Sequence, residues 1–179
     1  MEFHDISLLL RSHTPILILQ THEETRAVDL LKDIASNMNF PIFKWSVATG
    51  MQRIDKELDP QTHLKEPPKV LQHINSAQFE GIYLLLDFHP YLDDPVNVRL
   101  LKELAMTISQ TPTKLVLVSH KINIPAEVKK MTVNVELSLP DDKQLMEIVA
   151  KEALAFTKAN KNKRVSTDKK VLDQLIKNM

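Results

Sequence analysis

Asp87 closes the apolar run Leu84-Leu85-Leu86, the arrangement by which strands of nucleotide hydrolases present a metal-handling carboxylate. Cradling a triphosphate also needs a loop of the form G-x-x-x-x-G-K-[ST], whose glycines turn tightly and aim backbone N–H groups at phosphate. The chain has 2 glycines, Gly50 and Gly81, far apart and with no Lys-Ser or Lys-Thr after either. The residue following Asp87, where such enzymes place the base that activates water, is Phe88. A lone acid holds no water in place for attack. A second chemistry is available, because His22, His89 and His120, like Asp87 and Glu23, all stand just after apolar runs. If the strands concerned are neighbours, these side chains arrive at the carboxyl edge of one sheet, where α/β folds bind ligands. Two or three imidazoles and a carboxylate can hold zinc, iron or manganese.

The elements that must position these groups follow from the hydrophobic pattern. Short apolar runs rich in branched and aromatic residues alternate with stretches of helical period, which predicts a mostly parallel sheet with crossover helices on both faces. Strands are expected over residues 15–20, 41–47, 81–87, 114–119 and 133–137. The third and fourth are continuously apolar and belong in the middle; the mixed polarity of the second and fifth suits sheet edges. Trp45, on that second strand, reads as a core residue.

Ala27, Leu30, Leu31, Ile34, Ala35 and Met38 recur at helical spacing after the first strand. Thr21-His22-Glu23-Glu24 fits a capping box at the start of that helix. Asp94-Pro95 opens another, with Val98, Leu101, Leu104, Ala105 and Ile108 turned inward. Residues 49–69 hold Pro60, Pro67 and Pro68 and little periodicity, which predicts a long surface loop before a short helix at 70–77. After Pro140 the pattern turns helical, with Leu145, Ile148, Val149 and Phe156 in register, then a basic link at 158–164 and a last helix carrying Leu172, Leu175 and Ile176. The expected division is an α/β core over 1–139 and a helical lid over 140–179, cut short within a longer protein.

Composition narrows the partners. Of 179 residues, Lys+Arg and Asp+Glu number 23 each, so no net field draws in nucleic acid or an anionic membrane. The basic link lacks the interleaved aromatics that stack on bases. With no cysteine, disulfides and thiolate metal sites are excluded, and no apolar run approaches the length of a membrane span. A cytoplasmic protein contacting neither nucleic acid nor membrane is expected. His4, His13, His63 and His73 are expected at the surface.

The order of parts resembles an AAA+ nucleotidase, and particular stretches narrow the resemblance. Met1-Glu2-Phe3-His4-Asp5-Ile6 leading to Arg11, Pro15-Ile16-Leu17-Ile18 with Thr21-His22-Glu23-Glu24, Lys44-Trp45-Ser46-Val47, and the run from Leu84 through Asp87-Phe88-His89-Pro90 to Pro95 are similar to the AAA-type ATPases named after a hypothetical chloroplast reading frame. The resemblance covers nearly the whole chain, most specifically 1–26 and 82–105. It implies an N-terminal domain without a phosphate loop, a P-loop NTPase-like sheet ordered five-one-four-three-two, and Asp87 at a Walker-B-like position. ATP and magnesium would belong to a downstream module, and that module, other subunits, and a protein client or adaptor would be the partners.

Independent of the resemblance, Glu23 and Glu24 sit in the helix turn that would otherwise offer its dipole to phosphate. With Thr21 they suggest a self-capped turn that binds no cofactor and supplies no catalytic group. The leading expectation is therefore a non-catalytic AAA-like module that assembles, regulates or presents an ATPase. The rivals are a small metal-dependent hydrolase using His22, Asp87, His89 and His120, and a nucleotide sensor that binds without hydrolysis.

Overall fold

The computed structural model describes residues 3–137 except 57, 78 and 79, and several helical positions between 146 and 157. It separates into two units, residues 1–137 and 138–179. The expected basic link at 158–164 and the last helix lie outside the described residues, as does most of the expected helix after Pro140.

Six strands form one sheet: β1 (Ile16–Gln20), β2 (Ile42–Ser46), β3 (Gly50–Arg53), β4 (Ile82–Leu86), β5 (Lys114–Ser119) and β6 (Thr132–Glu136). Their order is β3-β2-β4-β5-β1-β6, all parallel except β3, which runs antiparallel to β2. The expected order of the five parallel strands is thus present, and the expected count of five is corrected to six. β2 is accordingly not an edge. The loop expected over 49–69 instead contributes β3 and a 3-10 turn at Thr62–Leu64.

Alternation along the central strands sorts their side chains onto two faces. Ile16, Ile18, Tyr83, Leu85, Leu115 and Leu117 join one core cluster, whereas Leu17, Leu19, Ile82, Leu84, Leu86, Val116 and Val118 join the other. Helices α3 (Pro67–Ser76) and α4 (Pro95–Ile108) cover the first face; α1 (Phe3–Arg11) and α2 (Glu24–Met38) cover the second. The result is a three-layer α/β unit whose central strands are buried on both sides, which is why they read as unbroken apolar runs. A short helix, α5 (Ala126–Lys129), precedes β6.

The helix ends show which local signals act. Asp94 caps α4 by accepting from the Val96 N–H at 2.8 Å, with Pro95 at the first turn. Asn39 ends α2 in the left-handed region, φ 55°, and the Phe40 N–H reaches back to the Ala35 carbonyl at 2.9 Å. α3 begins at Pro67, three residues before the expected helix, because two prolines suit a first turn whose N–H groups have no intrahelical partner.

Trp45 is fully buried, as expected, and its indole N–H donates to the Leu64 carbonyl. In α4 the inward residue at the first turn is Asn97, whose amide donates to the Tyr91 carbonyl at 3.0 Å; Val98 is only half-buried.

Candidate functional site

The link from β1 to α2 is three residues long, Thr21, His22 and Glu23, and its backbone is already engaged. The Thr21 N–H donates to the Ser119 carbonyl at 3.0 Å, and the Glu23 N–H donates to Thr21 Oγ1 at 3.0 Å. The expected capping box does not form. Glu23 itself occupies the cap position and makes no side-chain bond to the helix N–H groups; its carboxylate accepts from Arg26 at 2.7 Å. The helix starts at Glu24, too late for the Thr21 hydroxyl to reach its third N–H. The turn is therefore closed by its own backbone and the Thr21 hydroxyl, not by the carboxylates.

At the end of β4, Asp87 adopts φ 48°, a left-handed conformation uncommon for a residue with a Cβ and better tolerated by Asp than by most. The backbone is fixed there by the Asp87 N–H, which donates to the Val118 carbonyl at 3.0 Å. Phe88 turns the opposite way, fully buried with its ring 5.5 Å from that of Trp45. The place a catalytic base would take next to Asp87 is thus built into the core.

The strand-end residues converge. β1, β5 and β4 are consecutive in the sheet, which brings His22, His120, Asp87 and His89 to one edge. The His22 and His120 rings stack with centroids 5.7 Å apart and planes inclined by 28°, while His89 meets His120 edge-on at 5.0 Å. One donor atom from each of Asp87, His89 and His120 lies within 4.8 Å of the others. His22 stands beside this trio without belonging to it.

Ser119 joins the group, a residue the sequence reading took only as the end of a strand. Its hydroxyl is 3.0 Å from Asp87 Oδ1 and 2.8 Å from His89 Nδ1. Because a carboxylate can only accept, a hydroxyl serving both must donate to Asp87 and accept from His89 Nδ1–H. The available signal was its place next to His120 at a strand end.

Thr21, His22, Glu24, Asp87 and His120 line a cleft of about 220 Å³, below the roughly 300–1,000 Å³ usual for organic ligands. A larger cleft of about 570 Å³, lined by Leu92, Val98, Lys102 and Ile124 among others, includes none of the strand-end residues. His4, His13 and His63 are exposed as expected; His73 is half-buried on α3. Among the described residues no helix is long and apolar enough to cross a membrane.

Fold and site together define a P-loop NTPase-like α/β domain in which a short, internally bonded turn links β1 to α2. Solved structures share the fold: a DNA replication initiation factor superposes with TM-score 0.60 at 13% identity, covering 99% of this chain and 54% of the other. AMPPCP-bound DnaA from Aquifex aeolicus gives TM-score 0.57 at 13% identity, covering 99% and 55%. The chain belongs to the SpoVK-like AAA ATPase N-terminal domain family, whose model matches residues 3–137. It is 30% identical over 158 residues to the AAA domain-containing protein ycf46 of Pyropia yezoensis, covering 87% of this chain and 31% of that protein. The corresponding protein of Trieres chinensis is 25% identical over 152 residues, covering 81% and 30%. This chain thus spans less than a third of the length of those relatives.

Proposed function

We propose that this chain is a non-catalytic AAA-like module that assembles, regulates or presents to a client an ATP-hydrolysing module of the same protein. The observation that carries the reading is the β1–α2 link. A phosphate loop needs several free backbone N–H groups at this point, whereas the link has three residues, and two of their N–H groups are bonded within the protein. The burial of Phe88 supports it from the other side, since the position directly after Asp87 offers an apolar core side chain where a carboxylate base would stand. ATP and magnesium belong, in this reading, to the partner module, and the working parts here are surfaces. Its partners are that module, other subunits and a protein client or adaptor, and its place is the cytoplasm.

The test is a melting-temperature measurement of the chain with and without magnesium and ATP. Unchanged melting at millimolar nucleotide is expected, because a ligand at 100 times its Kd would stabilise by about 2.7 kcal/mol. A magnesium-dependent rise of several degrees contradicts the proposal. The regulatory half is read separately, by comparing the ATPase rate and oligomer size of the longer protein with and without residues 1–137; identical values would remove it.

A further inference from the structure

We propose that Asp87, His89 and His120 form a binding site for a divalent transition-metal cation, zinc in the first instance, at the carboxyl edge of the sheet. The donor atoms already lie within 4.8 Å of one another. Tetrahedral zinc with bonds of about 2.0–2.1 Å sets its ligand atoms roughly 3.3 Å apart, so closing the site takes a shift of about 1–1.5 Å. Asp87 and His120 are exposed and His89 is half-buried, and the last torsions of these side chains are soft. The movement therefore meets little packing resistance.

The donor chemistry suits the ion. Two neutral imidazoles and one carboxylate match zinc's preference for nitrogen and oxygen donors and leave a fourth position open. His22, stacked on His120, lines the same cleft and is a candidate for that position; otherwise water takes it.

Ser119 supplies the feature that separates a built site from an accidental cluster. Metal-binding histidines usually donate their second ring N–H to a neighbouring acceptor, which fixes tautomer and orientation. Here the Ser119 hydroxyl accepts from His89 Nδ1–H at 2.8 Å and donates to Asp87 Oδ1 at 3.0 Å. That arrangement holds two ligands with one hydroxyl; because Nδ1, the nitrogen 3.9 Å from Asp87 Oδ1, is the one bonded to Ser119, coordination by His89 goes through Nε2 and requires its ring to move toward the other two ligands. The backbone adds to it, since the Asp87 N–H bond to Val118 fixes the β4 turn against β5, from whose end His120 projects. A cation held there would tie the ends of two adjacent strands.

The proposal is independent of nucleotide binding, and its test reads metal alone. The untagged 179-residue chain, stripped with chelator, is titrated with Zn²⁺ by calorimetry and with Co²⁺ by visible absorption. One equivalent should bind, with cobalt bands of tetrahedral intensity. Asp87→Asn, which keeps a residue tolerant of positive φ, and His120→Ala, at an exposed position, should each weaken binding at least about tenfold, and Ser119→Ala by about 10–100-fold. His13→Ala, far along the chain and exposed, should leave it unchanged. Circular dichroism establishes that each variant is folded. Absence of saturable uptake, or an affinity unchanged in both Asp87→Asn and His120→Ala, overturns the proposal.

Discussion

Lys114 Nζ donates to the Ser12 carbonyl at 2.7 Å and to the Thr14 carbonyl at 3.3 Å, fastening the chain that leaves α1 to the start of the buried strand β5. Lys114 is only 5% exposed, and burial holds its ammonium below the usual lysine range. Its hydrogen bonds to two carbonyls compensate for part of that desolvation.

Replacing Lys114 by methionine keeps most of the apolar stem and removes the donor. The Ser12 and Thr14 carbonyls then lose a charged partner, at a cost of about 1–3 kcal/mol. Urea unfolding followed by circular dichroism should show a lower midpoint with an unchanged slope. Limited proteolysis should cut faster between α1 and β1. Unchanged stability would mean that water serves those carbonyls equally well.

Gly50, with φ +82°, opens β3 where the chain turns back from β2. A Cβ there would collide with the backbone carbonyl of Gln61. Gly50→Ala combines backbone strain with that clash, so destabilisation above about 1 kcal/mol is expected. Hydrogen exchange should locate the loss in residues 50–53 and 61–64 before the rest of the sheet. Gly81→Ala is a useful comparison, because its Cβ would approach the Pro41 carbonyl at 2.8 Å without a positive φ.

His73 is half-buried on α3, and desolvation, followed by the charge of His63, lowers its pKa from 6.5. The unfolded chain then binds this proton more tightly than the folded one. The penalty is full below the folded pKa and disappears as pH rises toward 6.5, so stability from this group rises with pH across that window. His73→Gln should flatten the rise in melting temperature on the acid side of pH 6.5. An identical slope in the variant would assign the dependence to other groups.

Legibility varied with the source of each element's stability. β1, β4 and β5 are buried on both faces, so their sequences announce them. β3 is four residues, Gly-Met-Gln-Arg, and carries no such run. It is held by side chains of the hairpin strand β2: Trp45 opposite Met51, Phe43 opposite Arg53, and the Arg53 guanidinium 5.8 Å above the Phe43 ring. None of this is visible in local pattern. The capping box at Thr21 misled for a related reason, since the residue types fit while the helix starts two residues too late. The site divides in the same way. His22, Asp87, His89 and His120 are readable as polar residues that end apolar runs, and parallel topology then gathers them. Ser119 is hidden, because its side chain acts across strands through a hydroxyl that sequence alone cannot aim.

The two margins of the sheet are unequal in what they can recruit. β3 pairs with β2 on one side and meets Gln61 on the other, through the Met51–Gln61 bridge and a 2.7 Å bond from the Gln61 N–H to the Met51 carbonyl. That margin is occupied along part of its length by the protein's own chain. β6 is last at the opposite margin, with Asn134 and Glu136 exposed. Among the described residues no strand pairs with the outer side of β6, and a charged residue there discourages indiscriminate strand addition.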